Sequence, residues 1–178
     1  LDEQDMQLLE DTYKGFARSG ALLEGRDKEL YREYSSELSQ LTLKFGQNAQ
    51  AATNAFSYNI TDPAKVEELP AFVKEGLAAE AEARGEKGWT VTLHAPSYSP
   101  FMTYSTQRDI KEALYRAYNT RGIGGETDNV ENIRRIAELR LKIANLLGYK
   151  SYADYVLEDR MAESTKTVNG FLAELNKA

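Results

Sequence analysis

The chain has 178 residues, with 22 Lys and Arg against 28 Asp and Glu, for a formal charge of −6. That length suffices for a sizeable core, and 42% apolar residues with 28% charged residues exclude an intrinsically disordered polymer. The absence of cysteine excludes a disulfide framework, a thiol nucleophile and a thiolate metal site, and no apolar run approaches the ~18 residues that span a bilayer. The acidic start Leu1-Asp2-Glu3-Gln4-Asp5 is unlike a signal peptide, and the isoelectric point near 5.0 argues against binding a phosphate backbone. The expectation is a cytoplasmic chain without membrane or nucleic-acid partners.

Helical spacing dominates the pattern. Met6, Leu9, Tyr13 and Phe16 form a first stripe that Ser19-Gly20 terminates. Leu30, Tyr34, Leu38, Leu41, Phe45, Ala49, Ala52 and Phe56 then repeat on an 11-residue period, which keeps a stripe nearly straight at about 3.67 residues per turn. A helix over Arg26–Phe56, packed inside a bundle, would be roughly 45 Å long, which predicts an elongated fold. Asp62-Pro63 reads as an N-cap with proline at the first helical position of a short turn. Phe72, Val73, Leu77 and Ala81 mark a helix that Gly85 ends.

Trp89–His94 alternates apolar and polar residues, as a half-buried strand does, and its natural partner is the β-prone Tyr58–Ile60. Pro96 and Pro100 read as turns. Three capping pairs then open helices: Thr106 with Asp109, Asp128 with Glu131, and Ser151 with Asp154. Ile110, Ala113, Leu114, Ala117 and Tyr118 supply one core face. Val130, Ile133, Ala137, Ala144 and Leu147 supply another, stopped by Gly148. Val168, Phe171, Leu172 and Leu175 run almost to Ala178. The fold class is mainly all-α: an elongated helical bundle with one long helix and a small two-stranded β-ribbon, in a single segment over residues 1–178.

The chemistry is sparse. His94 is the sole histidine, so no pair of imidazoles can face one zinc, and no Gly-x-Ser-x-Gly elbow presents a serine to it. Gly122-Ile123-Gly124-Gly125 lacks the preceding strand and the final glycine of a dinucleotide loop, and reads as a flexible connection between helices. Arg134, Arg135, Arg140 and Lys142 read as a solvated face, with Glu131 four before Arg135 and Glu138 four before Lys142. Tyr31/Tyr34, Tyr115/Tyr118 and Tyr149/Tyr152/Tyr155 read as core-edge packing with hydroxyls toward solvent, and Glu67/Glu68 and Glu158/Asp159 as solvated charge. No catalytic, metal or substrate-binding residue is assigned.

Several separated blocks resemble a known family: Tyr13-Lys14-Gly15-Phe16-Ala17-Arg18-Ser19-Gly20-Ala21, the run Leu38–Asn48, Pro96–Tyr104, Arg116–Arg121, Leu146–Tyr155 and Met161-Ala162-Glu163-Ser164. In order and spacing they are similar to the thimet oligopeptidase family of zinc metallopeptidases. The branch is that of bacterial oligopeptidase A and dipeptidyl carboxypeptidase, and the short loop Gly122–Gly125 leans toward the latter. The resemblance implies a largely helical, clam-shaped enzyme that admits short peptides to a closed channel. It further implies one zinc held by a His-Glu-x-x-His helix and a downstream Glu. None of that motif is present here, so no catalytic or zinc residue carries over. The expectation is an internal, inert fragment: a non-catalytic helical part of a peptidase whose intact form binds zinc and takes short peptides. Its partners would be the rest of the parent chain, or another copy of itself through the first and last stripes. The alternative is a stand-alone helical protein-interaction module.

Overall fold

A computed structural model describes residues 2–177. The elements are α1 (Glu3–Arg18), α2 (Gly25–Ala55), β1 (Ser57–Ile60), a 3-10 turn (Pro63–Lys65), α3 (Ala71–Ala83), β2 (Trp89–Thr92) and α4 (Ala95–Tyr104). They continue with α5 (Arg108–Asn119), a 3-10 turn (Gly125–Thr127), α6 (Val130–Leu146), α7 (Tyr152–Leu157) and α8 (Thr165–Leu175). The fold is mainly α, with one two-stranded antiparallel sheet among the described residues. Two compact units can be distinguished, Lys44–Glu131 and Leu1–Leu43 with Asn132–Ala178.

In Lys44–Glu131 the ribbon pairs Ser57 with Thr92 and Ile60 with Trp89. Ile60, Val66, Leu69, Val73, Leu77, Val91, Leu93, Phe101, Ile110 and Leu114 form its core. β2 is buried on both faces and stops at Thr92, where a half-buried strand reaching His94 was expected. Thr90 tolerates burial because Asn59 Nδ2 donates to its hydroxyl at 2.9 Å, and that hydroxyl donates to Glu86 at 2.5 Å.

Pro96 and Pro100 do not break the chain, because α4 runs through both. Pro96 lies in the first turn, where no backbone donor is required, and Pro100 forfeits one internal bond. Complete burial of Phe101, with Tyr98 and Met102 against the same core, outweighs that loss. The Thr106–Asp109 cap is also not made. α5 begins at Arg108 after Gln107, which forms no side-chain cap, and Thr106 is engaged elsewhere. The loop from Gly122 to Asn129 is tied, not loose: the Asn129 amide donates to Gly122 O at 2.7 Å, and Asn129 Nδ2 donates to Phe45 O at 3.1 Å.

In the other unit, α1 stops at Ser19, and Gly20 follows at φ +79° with the Tyr31 ring 3.1 Å from where a Cβ would stand. Over its Gly25–Leu43 part, α2 turns Leu30, Tyr34, Leu38 and Leu41 inward, and these are half-buried, not enclosed as expected of a helix inside a bundle. α6 differs most from expectation. Its inner face is Asn132, Ile136, Leu139, Ile143 and Ala144, while Ile133, Ala137 and Leu141 are exposed. Two apolar stripes compete on this helix, and the sequence pattern does not rank them. Gly148 at φ +89° ends the element as expected, with the Tyr149 amide donating to Ala144 O at 2.9 Å. Ser151 caps α7 by accepting from the Asp154 amide.

Candidate functional site

His94 precedes α4 at its N-cap, is exposed, and makes no side-chain capping bond. Beside it lies an apolar crevice of about 300 Å³ with Phe72, Leu77, Glu80, Pro96 and Pro100 in its walls. The carboxylate there, Glu80, is paired with Arg84 at 2.7 Å, and the Ser97 hydroxyl accepts from the Thr92 amide at 3.0 Å. Neither is arranged as a partner for the imidazole. Among the described residues no group of three or more His, Cys, Asp or Glu side chains could hold a metal. One histidine and no cysteine do not fit a catalytic zinc, which needs three converging protein ligands.

A second crevice, of about 490 Å³, is lined by Met102, Thr106, Arg108, Lys111, Glu112 and Tyr115. Its polar groups are mostly committed: Lys111 Nζ donates to Ser105 O at 3.1 Å, and Glu112 pairs with Arg116 at 2.8 Å. Behind it, Glu68 reaches across from the chain before α3. It accepts from the Thr106 amide at 2.5 Å, from the Ser105 hydroxyl at 3.2 Å and from the Thr106 hydroxyl. These donors hold its carboxyl below the ordinary value, the Thr106 hydroxyl foremost. Glu68 thus supplies from a distance what the Thr106–Asp109 pair was expected to supply locally. Asp109 pairs instead with Lys65 at 2.8 Å, which lowers its carboxyl pKa. Glu68 was expected to be solvated, and only tertiary proximity reveals its role.

Glu158 and the C-terminal tyrosines are likewise engaged. Arg18 donates to Glu158 at 2.6 Å, to the Tyr149 hydroxyl at 3.2 Å and to the Tyr155 carbonyl at 2.7 Å, with its guanidinium 4.5 Å from the Tyr155 ring centroid. The Tyr149 hydroxyl donates to Glu158, and that bond raises its pKa. The Tyr149 hydroxyl thus meets Arg18 and Glu158, and the Tyr155 hydroxyl donates to Arg18 O at 3.3 Å, whereas hydroxyls toward solvent were expected. Tyr98 and Tyr118 stack at 4.3 Å with Arg121 over the Tyr118 ring. The basic face of α6 carries an ion-pair network. Arg135 goes to Glu37 on α2 in two bonds of 2.6 Å and to Glu138 at 3.0 Å, while Lys142 takes Glu138 at 2.7 Å as expected. Among the described residues no helix is long and apolar enough to cross a membrane.

Several of the charged and aromatic side chains singled out in the sequence, Glu68, Arg18 and Arg135 among them, are held in contacts between elements. Residues 101–178 match the profile of Peptidase family M3. Over 93% of its length the chain is 36% identical to a probable cytosolic oligopeptidase A of Arabidopsis thaliana, of which it covers 25%. It is 33% identical over 99% of its length to oligopeptidase A of Salmonella typhimurium, covering 27% of that protein. It is 28% identical over 98% of its length to dipeptidyl carboxypeptidase of Escherichia coli, covering 26%. The chain is thus similar to Peptidase family M3 over residues 101–178 and to these peptidases over nearly its whole length, in line with the resemblance its blocks carry, and it spans about a quarter of the length of these relatives. The identities are 36% and 33% to the two oligopeptidases A and 28% to the dipeptidyl carboxypeptidase, so the similarity extends to both branches.

Proposed function

We propose that this chain is the non-catalytic helical part of a zinc-dependent metallopeptidase that cleaves short oligopeptides or releases C-terminal dipeptides in an enclosed channel. The observation that carries this reading is similarity that runs through nearly the whole chain yet covers about a quarter of each relative. Its contribution would be architectural: a wall that confines the substrate, while zinc and the general base come from polypeptide outside these residues. One exposed histidine and carboxylates tied into ion pairs agree with that division of labour.

The rival is a stand-alone helical interaction module, favoured by the exposed stripe Phe171, Leu172 and Leu175 on α8. The coding sequence separates the two. A reading frame that continues past codon 178 into a His-Glu-x-x-His helix supports the peptidase, and a stop codon there supports the module.

A further inference from the structure

We propose that Asn169-Gly170 on α8 is a site of spontaneous covalent modification, at which Asn169 is converted to isoaspartate and α8 is opened for good. Asn169 is the one asparagine of the chain that glycine follows, and without a side chain that glycine leaves its own amide nitrogen least hindered. The Asn169 side chain is exposed and, among the described residues, makes no hydrogen bond. Asn59, Asn119 and Asn129 are held differently, each donating from Nδ2 to a backbone carbonyl: Lys87 O at 3.0 Å, Tyr115 O at 2.8 Å and Phe45 O at 3.1 Å. Each of those three is also followed by a β-branched residue, Ile60, Thr120 or Val130, which crowds the same nitrogen.

The reaction needs only water. The Gly170 backbone nitrogen loses its proton and attacks Asn169 Cγ, the bond from Cγ to the side-chain nitrogen breaks, ammonia leaves, and a succinimide ring joins the two residues. Water then opens the ring. Cleavage between Cγ and the ring nitrogen gives aspartate, and cleavage between the former backbone carbonyl and that nitrogen gives isoaspartate, with the chain running through the side chain. Nothing is oxidised or reduced. A closed helix blocks the attack, because the Gly170 N–H is then bonded to the carbonyl four residues back and the helical ψ holds the nitrogen off Cγ. α8 opens at little cost. It has 11 residues, none of them buried, with Phe171, Leu172 and Leu175 53–60% exposed. A helix this short is marginal alone in water, and a glycine in its interior weakens it further. Its cap, Ser164, follows Glu163 at φ +57°, a strained left-handed conformation for a residue with a side chain. Isoaspartate adds a methylene to the backbone, so the hydrogen-bond ladder of α8 cannot close through it. The change is one-way and accumulates with the age of the chain. The proposal concerns the 178-residue chain itself and does not rest on the peptidase reading.

The purified chain is held in mildly alkaline buffer and sampled over days by tandem mass spectrometry of the peptide that carries residue 169, with fragmentation that separates isoaspartate from aspartate. Conversion at Asn169 is expected at least about tenfold faster than at Asn145 or Asn176, and within about a hundredfold of the rate in a free peptide of residues 165–175, as opening at the low end of native-state stability allows. Gly170→Ala, which hinders the nitrogen and strengthens the helix, should slow it at least about tenfold. Amide exchange in residues 165–175 should reach that of the free peptide in the isoaspartyl protein but not in Asn169→Asp, which carries the charge without the extra methylene, while residues 71–114 keep their protection. Conversion at Asn169 no faster than at Asn145 or Asn176, or more than about a hundredfold slower than in the free peptide, would overturn the proposal. So would a rate indifferent to Gly170→Ala, or an isoaspartyl protein whose α8 is as protected as before.

Discussion

Glu68 accepts hydrogen bonds from both the amide and the hydroxyl of Thr106, 38 residues further along the chain. It thereby fastens the turn before α3 to the chain that enters α5, using a tertiary contact where a local capping pair was expected. Because Thr106 and Ser105 favour the ionised form, the folded-state pKa lies below the ordinary 4.5. The stability contributed is therefore complete above that ordinary value and is lost as pH falls through the lowered one. Glu68→Gln should lower Tm at neutral pH, and the gap to wild type should close as the pH drops below 4.5. A pH series of thermal melts checks both points.

Phe101 is fully buried in a helix that carries two prolines, so burial is what secures α4. Phe101→Ala should destabilise the fold by about 3–5 kcal/mol, as removal of a core phenylalanine does. Urea denaturation followed by far-ultraviolet circular dichroism measures it.

Two glycines near the ribbon separate backbone strain from steric collision. Gly85 at φ +70° has open space where a Cβ would stand, whereas at Gly88, φ +89°, that atom would lie 2.2 Å from Ile60 O. Gly85→Ala should cost roughly 1–2 kcal/mol from the left-handed conformation alone. Gly88→Ala should cost clearly more, since it also forces the Ile60–Trp89 end of the ribbon apart. Equal losses in chemical denaturation would contradict this.

Arg18 joins α1 to Tyr149, Tyr155 and Glu158 through a planar fork and a stacked face. Arg18→Ala should speed amide exchange in residues 3–18 by about tenfold or more while leaving residues 71–114 unchanged, because the second set has its own core. Arg18→Lys should not restore protection, since an ammonium cannot repeat the fork.

The legible parts of the fold were those with one dominant local signal. The 11-residue stripe marked α2 to within a residue at either end, and alternation at Trp89 with β-prone Tyr58–Ile60 gave the ribbon's pairing. α4 was missed because proline speaks locally for a turn, while the burial of Phe101 that overrides it is tertiary. The α6 face was read only in part, with Ala144 buried as expected, because Ile133 and Ile136 head two stripes and the sequence does not say which is buried. Glu68 and Glu158 passed as surface charge for the same reason. Their partners lie 38 and 140 residues away, and no spacing rule reaches that far.

Hydrolysis of a short internally quenched peptide by the purified 178-residue chain, supplied with stoichiometric zinc, tests the central claim most directly. With His94 the sole histidine and no cysteine, the account predicts no turnover above the zinc-only background. Turnover that a chelator abolishes would show that these residues assemble a metal site of their own, and would contradict the account.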